Sequence, residues 1–522
     1  MNSVKKGDCV ELLCRADGNI RLEDEVVLPD YCSDISKLVR LEAHPILEKT
    51  RAYIQENCVC VDVSGRVELQ AIFTNEDGEC ETYAFSKDFS ESCKKALGKG
   101  EVCAPDSLSA AVSFTGIVST PKALSPRKIL ARSEIGICFE VFGNLEYSCY
   151  NPSEDMARHR IEPLKKQVGI CRIIANKNED FSLTQQIKLP SSMPPCQKVL
   201  SCNVSISVDS AHPSADEVSL FSTLNVNVFY LSEPTADKDA EYVSFYQPIE
   251  VKEKIELDDC AEDSVCRARG VVGKIQCTPV ADSFGDNKLF SLSVGYSMFL
   301  CVMENVDEEL VVDAYGVGAH ADCKYDSREF YHYHGSLTQS APFREKIALK
   351  SSHNSVCAVS GRALFKTVSL SKAEAFADMC IEVFAATCDE NCKIDSTVNE
   401  CFDTRALLNV PDSILKNVSV ENLVIDGCAC LSFIDASLDG ASLDVSGEIL
   451  ITAQIFEKCR LKFINDAELS QGKEKKQGIV FYYPQESDTL WSVGKHYGVE
   501  LEALKEINKI EDNTLPEVIR IP

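Results

Sequence analysis

A period of 157 residues constrains this 522-residue chain more than any other feature. Val61, Val63, Gly65, Val67, Leu69, Ala71 and Phe73 alternate with the polar Asp62, Ser64, Arg66, Glu68 and Gln70. Side chains on a strand point alternately to its two faces, so such a run predicts a strand with one dry and one wet face. One step later the same phase returns at Val218, Leu220, Ser222, Leu224, Val226, Val228 and Tyr230. A second step brings Ala375, Ala377, Met379, Ile381, Val383, Ala385 and Thr387. Another strand obeys the step: Ile135, Ile137, Phe139 and Val141 become Leu292, Val294, Tyr296 and Met298, then Ile449, Ile451, Ala453 and Ile455. Phe114, Gly116 and Val118 map once, onto Val271, Gly273 and Ile275. Leu28-Pro29 and Leu189-Pro190 correspond at a slightly different offset.

Self-similarity at a fixed period marks a tandem array. Three steps use 471 residues and leave 51. The expected fold is therefore mainly β, with three tandem antiparallel β modules, sandwich-like or open barrels, and a small C-terminal unit. Polar turns such as Asn75-Glu76-Asp77-Gly78 and Gly285-Asp286-Asn287 should close hairpins. The expected divisions are 1–165, 166–330 and 331–470 for the modules and 471–522 for the tail. A polar stretch, Lys473 to Gly478, reads as a flexible joint before the tail.

The tail changes rhythm. Ile479 to Tyr483 is an apolar run that reads as a strand. Ser487 and Asp488 offer oxygens to the free amides of a starting helix, and Asp488 and Thr489 also read as helix caps. Leu490, Val493 and Tyr497 share one helical face, and Gly498 stands where that helix would stop. Leu501, Leu504 and Ile507 repeat the spacing, and Val518 to Ile521 closes as a strand. Trp491, the single tryptophan, reads as core packing or as a partner-anchoring rim aromatic. Asn508 is expected to bond backbone and shape the loop into the last strand.

This strand–helix–helix–strand order, with Asp488-Thr489-Leu490-Trp491, Tyr497-Gly498-Val499, Leu504-x-x-Ile507-Asn508 and Ile519-x-Ile521-Pro522, resembles a LysM domain. The resemblance implies a βααβ fold and a binding site at Ser487, Asp488, Thr489, Leu490, Trp491, Tyr497 and Asn508. Ser487 stands where the family usually has Gly, and Pro484 where a β-branched residue is usual. Both lie in the loop that meets N-acetyl sugars in glycan-binding members, which favours a protein partner over a sugar. With the segment Leu28 to Ile35 and the phrase Val311-Val312-Asp313-Ala314-Tyr315, the whole chain resembles the SipL family, spore-coat morphogenetic proteins with SPOCS modules and a C-terminal LysM. That resemblance implies a protein of the mother-cell cytoplasm at the forespore surface. Its tail would dock onto the coat's basement-layer ATPase scaffold, and its modules could meet other coat proteins. The rival reading is peptidoglycan binding by the tail; a third, a wall hydrolase, lacks a catalytic motif.

The remaining residues point away from chemistry. The formal charge of −28 argues against nucleic acid and anionic membranes. No apolar run approaches the roughly 20 residues of a membrane helix, and Met1 to Asp8 does not read as a secretory signal. The chain has no phosphate loop, GxSxG or HExxH, so neither an enzyme nor a cofactor is expected. His320, Cys323, His332 and His334 form the best metal-like constellation, and they read as surface residues rather than as a site. The 26 cysteines carry no zinc spacing and read mostly as small buried thiols, with oxidative cross-linking and metal binding as the alternatives.

Overall fold

The computed structural model describes residues 4–98, 101–152, 161–234, 239–258, 260–317, 319–349, 355–371, 374–390, 393–416, 418–471, 480–511 and 514–522. The joint expected at Lys473 to Gly478 lies outside them. The body is three antiparallel β modules. The first holds β1 (Val4–Val27), β2 (Lys37–Gln55), β3 (Cys58–Thr74), β4 (Cys80–Ala96), β5 (Ser109–Ser119), a short β6 (Lys122–Ser125) and β7 (Lys128–Tyr150). The second holds β8 (Ile161–Lys188), β9 (Cys196–Ser214), β10 (Glu217–Ser232), β11 (Tyr242–Glu256), β12 (Val265–Val280) and β13 (Leu289–Gly316). The third holds β14 (Ala319–Ala348), β15 (Ser355–Ser371), β16 (Glu374–Cys388), β17 (Ile394–Leu408), β18 (Leu423–Asp439) and β19 (Ser442–Gln471), with a one-turn helix α1 (Asp412–Leu415).

Each module repeats one plan. A meander of the second, third and fourth strands makes one sheet: β2-β3-β4, β9-β10-β11 and β15-β16-β17. The other sheet places the last strand between the first and the fifth: β1-β7-β5, β8-β13-β12 and β14-β19-β18. The two sheets face one another over a common apolar core. The alternating runs supply that core. Val61, Val63, Val67, Leu69, Ala71 and Phe73 on β3 are all at most 2% exposed, and their counterparts on β10 and β16 at most 3%. Ser222 and Thr387 sit on the inward phase and are buried with it. At Gly65 a Cβ would strike the Ile46 carbonyl oxygen, which is why this inward position carries no side chain. The expected turns close the β3–β4 and β12–β13 hairpins, with Gly78 and Gly285 at φ of +78° and +92°.

The modules do not hang as beads. Each second strand carries a β-bulge at the same point. The register passes from Leu38↔Phe73 to Arg40↔Ile72, from Val199↔Tyr230 to Ser201↔Phe229, and from Val356↔Thr387 to Ala358↔Ala386. An extra residue in one strand re-aims its side chain. Here the extra residues are Val39, Leu200 and Cys357, and all three are buried in one cluster shared by the modules with Ile72, Phe229, Phe384 and Ala386. The outer ends of the first and last strands also converge. Tyr147, Phe330 and Phe463 stack edge-on or tilted at 5.5, 5.8 and 6.0 Å, with Val168, Ile170 and Leu310 from the second module against them. Equivalent strands from three modules thus meet as around a threefold axis.

A largely buried ion group draws on all three modules. Arg267 and Arg269 of β12 bind Glu140 of β7 at 3.1 and 2.8 Å and Asp426 of β18 at 2.6 and 2.9 Å. The Arg267 guanidinium also lies 4.6 Å from the Phe142 ring centroid. Arg15 of β1 also reaches Glu140, at 3.7 Å, so each anion is met by more than one cation, as burial demands. Burial pushes the Asp426 carboxyl up, but Arg267 and Arg269 more than offset this and hold it below the ordinary carboxylate range. Asp426 therefore stabilises the fold at neutral pH, and that contribution is lost as pH falls below about 4. Asp426→Ala should lower the stability of the full chain at pH 7 by about 3 kcal/mol. In urea melts, the gap between variant and wild type should shrink as pH falls towards 3.5 or so.

Candidate functional site

The tail folds as β20 (Val480–Tyr482), α2 (Leu490–Tyr497), α3 (Leu501–Asn508) and β21 (Ile519–Ile521), with the two strands paired antiparallel. Its core is Leu490, Val493, Val499, Leu504, Ile519 and Ile521, lined by Tyr482 and Tyr497. Of the candidate caps Ser487, Asp488 and Thr489, the last is the one that caps helix α2. Thr489 is its N-cap: its hydroxyl accepts the Ser492 N–H at 3.1 Å, and the Ser492 hydroxyl accepts the Thr489 N–H at 2.9 Å. Ser487 takes no part and lies exposed in the turn before the helix. Asp488 serves the loop instead. Its carboxylate accepts the Tyr482 hydroxyl at 2.6 Å and the Gln485 N–H at 2.8 Å, which hold it below the ordinary carboxylate range. Gly498 ends α2 at φ +62°, as its position predicts.

The seven residues read as a site do not converge on one surface. Leu490 is 5% exposed and belongs to the core. Tyr497 packs edge-on against Tyr482 at 5.7 Å. Asn508 is a structural tie: its amide donates to the carbonyls of Leu504 and Arg520, both at 2.8 Å, and accepts the Arg520 N–H at 2.7 Å. Trp491 lies outside the tail's core, half-buried, with its ring edge-on to Tyr315 of β13 at 5.5 Å. Only Ser487, Asp488 and Thr489 remain together at an accessible loop.

A different set of residues forms the accessible apolar surface. The register Tyr482↔Ile519 turns those two inward. Phe481, Tyr483 and Val518 are left on the other face, 62%, 70% and 38% exposed. Ile507, whose spacing predicts a core position, is also exposed. The signal was present in the run Ile479-Val480-Phe481-Tyr482-Tyr483, which does not alternate. A two-stranded sheet with one core has only one dry face, so a continuous apolar run leaves its odd members for something else.

The metal-like constellation does not assemble. His332 and His334 do share a side of β14, with rings 5.0 Å apart, and His334 pairs with Glu457 at 3.0 Å. Among the described residues no three His, Cys, Asp or Glu side chains are placed to hold a metal. Among them too, 23 cysteines are free thiols and Cys380–Cys401 is a disulfide. Burial pushes several thiols up, Cys171 and Cys266 to about 12, so these remain protonated and unreactive at neutral pH.

The family model described as SipL, SPOCS domain matches residues 195–280, strands β9 to β12 of the second module. The model described as LysM domain matches residues 485–518. Comparison with curated proteins and with solved structures gave no match. Both matched domains are non-catalytic binding or structural modules, and together they support a sporulation-related protein with a LysM binding module. No helix among the described residues is long and apolar enough to cross a membrane.

The tail's own stability gives a test of its construction. Thr489→Ala should cost about 1 kcal/mol, and Asn508→Ala, which strips three backbone partners, about 2 kcal/mol. A Trp491 fluorescence melt of the full chain should register both as an earlier tail transition, Asn508→Ala the more.

Proposed function

We propose that this chain, with a SipL SPOCS domain in its second module and a LysM domain at its end, is a non-enzymatic morphogenetic protein of the spore coat. It would act in the mother cell and dock through its tail onto the coat's basement-layer ATPase scaffold at the forespore surface. The observation that carries the reading is the outer face of the β20–β21 sheet, where Phe481, Tyr483 and Val518 stand exposed beside Arg520. Aromatic side chains beside an arginine are the composition of interface hot spots. The loop Ser487 to Thr489 would border that face. The net charge of −28 suits a partner with a basic surface.

We place the module divisions after Tyr150 and after Gly316, where a last strand gives way to the next first strand, and the tail after Gln471. The repeat alone suggests 165, 330 and 470. Three modules on one chain would present area for other coat proteins, each contact raising the effective concentration of the next. The second reading, peptidoglycan held by the tail, is favoured by the LysM match itself.

Calorimetric titration of the full chain separates the two. Purified ATPase scaffold should give saturable heat, and N-acetylglucosamine oligomers none. Replacing Phe481 and Tyr483 by Ser should weaken scaffold binding more than about tenfold, ~1.4 kcal/mol, with the melting temperature unchanged. Heat with the oligomers alone would overturn the docking reading in favour of the sugar.

A further inference from the structure

Helix α2 carries Gly494 at its centre. A glycine inside a helix costs about 1 kcal/mol relative to alanine, and Gly494 is not at a positive φ that would require one. Space is short on this side: Leu501 Cδ2 of the tail would lie 2.9 Å from an added Cβ, and the body comes closer still. A Cβ on Gly494 would stand 2.5 Å from the Tyr315 hydroxyl oxygen of the second module. That hydroxyl donates to the Val499 carbonyl at 2.8 Å, and both groups are buried. Three further contacts surround it. The Tyr315 ring meets Trp491 edge-on. Lys495 pairs with Asp313 of β13, its ammonium 5.0 Å from the Trp491 ring centroid. Glu162 of β8 accepts the Leu501 N–H at 3.4 Å. The side chain of Glu500, the N-cap of α3, does not cap the helix, and Glu162 gives the first turn an acceptor from the body.

All of these body residues sit at one end of one ribbon, where Glu162 is paired with Tyr315. Asp313 and Tyr315 belong to the phrase Val311-Val312-Asp313-Ala314-Tyr315, and they alternate with Ala314, which is buried between modules beside Val311. The third module puts Ile464 and Ala467 into the same cluster, so its equivalents of Asp313 and Tyr315 are Asp466 and Glu468. Those two carboxylates bind Lys324, at 2.9 and 3.1 Å. Of these two ribbon ends, only the second module's carries the aromatic.

We propose that Glu162, Asp313 and Tyr315 form a seat that latches the chain's own LysM domain by its Gly494–Trp491–Lys495 face, so that Trp491 serves docking within the chain rather than partner binding. The latch breaks the near-threefold likeness of the modules and fixes the tail in one place. It holds the tail by one helix face and leaves the Phe481–Tyr483 face free, whichever partner that face takes.

The lone tryptophan reports the latch in the full chain through acrylamide quenching. Wild type should quench weakly, and Tyr315→Ala several-fold more strongly. Asp313→Lys, which reverses the charge facing Lys495 and also gives up the Tyr325 hydroxyl, should raise quenching too, and adding Lys495→Asp should bring it back towards wild type. Far-UV circular dichroism identifies a variant that has unfolded; if Tyr315→Ala does so, the charge swap decides. Quenching by Asp313→Lys equal to wild type, or a swap that fails to restore it, would overturn the proposal.

Discussion

The burial of Val39, Leu200 and Cys357 in one shared apolar cluster is the constraint on which the body depends. Each is the extra residue of a bulge opposite the same point of a central strand. Without the bulge, the strand would keep its period of two and send that side chain to one of the module's two faces. With it, an apolar side chain leaves the edge of the module and enters a core that no module owns. The aromatic group of Tyr147, Phe330 and Phe463 does the same at the other end. One module alone would expose both surfaces, which explains why three copies are fused in one chain.

Electrostatics then makes the arrangement specific. Apolar clusters tolerate sliding, whereas a buried charge must meet its own partner. Glu140 has Arg15 in its own module, but Asp426 meets Arg267 and Arg269 only when the second and third modules are seated together, and those arginines reach Glu140 only when the first joins them. A chain with an excess of 28 negative charges gains from this, because repulsion among its surfaces works against compaction. His44 adds a neutral tie: burial lowers its pKa, and its ring donates to the Gly273 carbonyl of the next module at 2.7 Å.

The strands were legible because alternation is a local signal. Val61 to Phe73 and its two counterparts state which face is dry without reference to anything distant. The bulges were not legible, since one added residue leaves no mark on composition and needs a register to be seen. The ion group joins residues more than a hundred apart, and each of its members reads alone as an ordinary surface charge. In the tail, Gly498 and Asn508 act as their residue types predict. Three neighbouring residues offered a cap for α2, and Thr489 takes it because its box closes with Ser492, which stands where Glu or Gln is usual. Trp491 resisted reading for a different reason: its neighbour Tyr315 lies in another module.

The tail thus has one face turned to its own body and another, carrying Phe481 and Tyr483, left exposed for the proposed partner. Hydrogen exchange on the full chain, with and without the purified ATPase scaffold, tests this division most directly. Scaffold should slow exchange across Val480 to Tyr483 and Val518 to Ile521 and leave Trp491 to Gly498 as slow as before. Protection that appears at Trp491 to Gly498 and spares the two strands would contradict it.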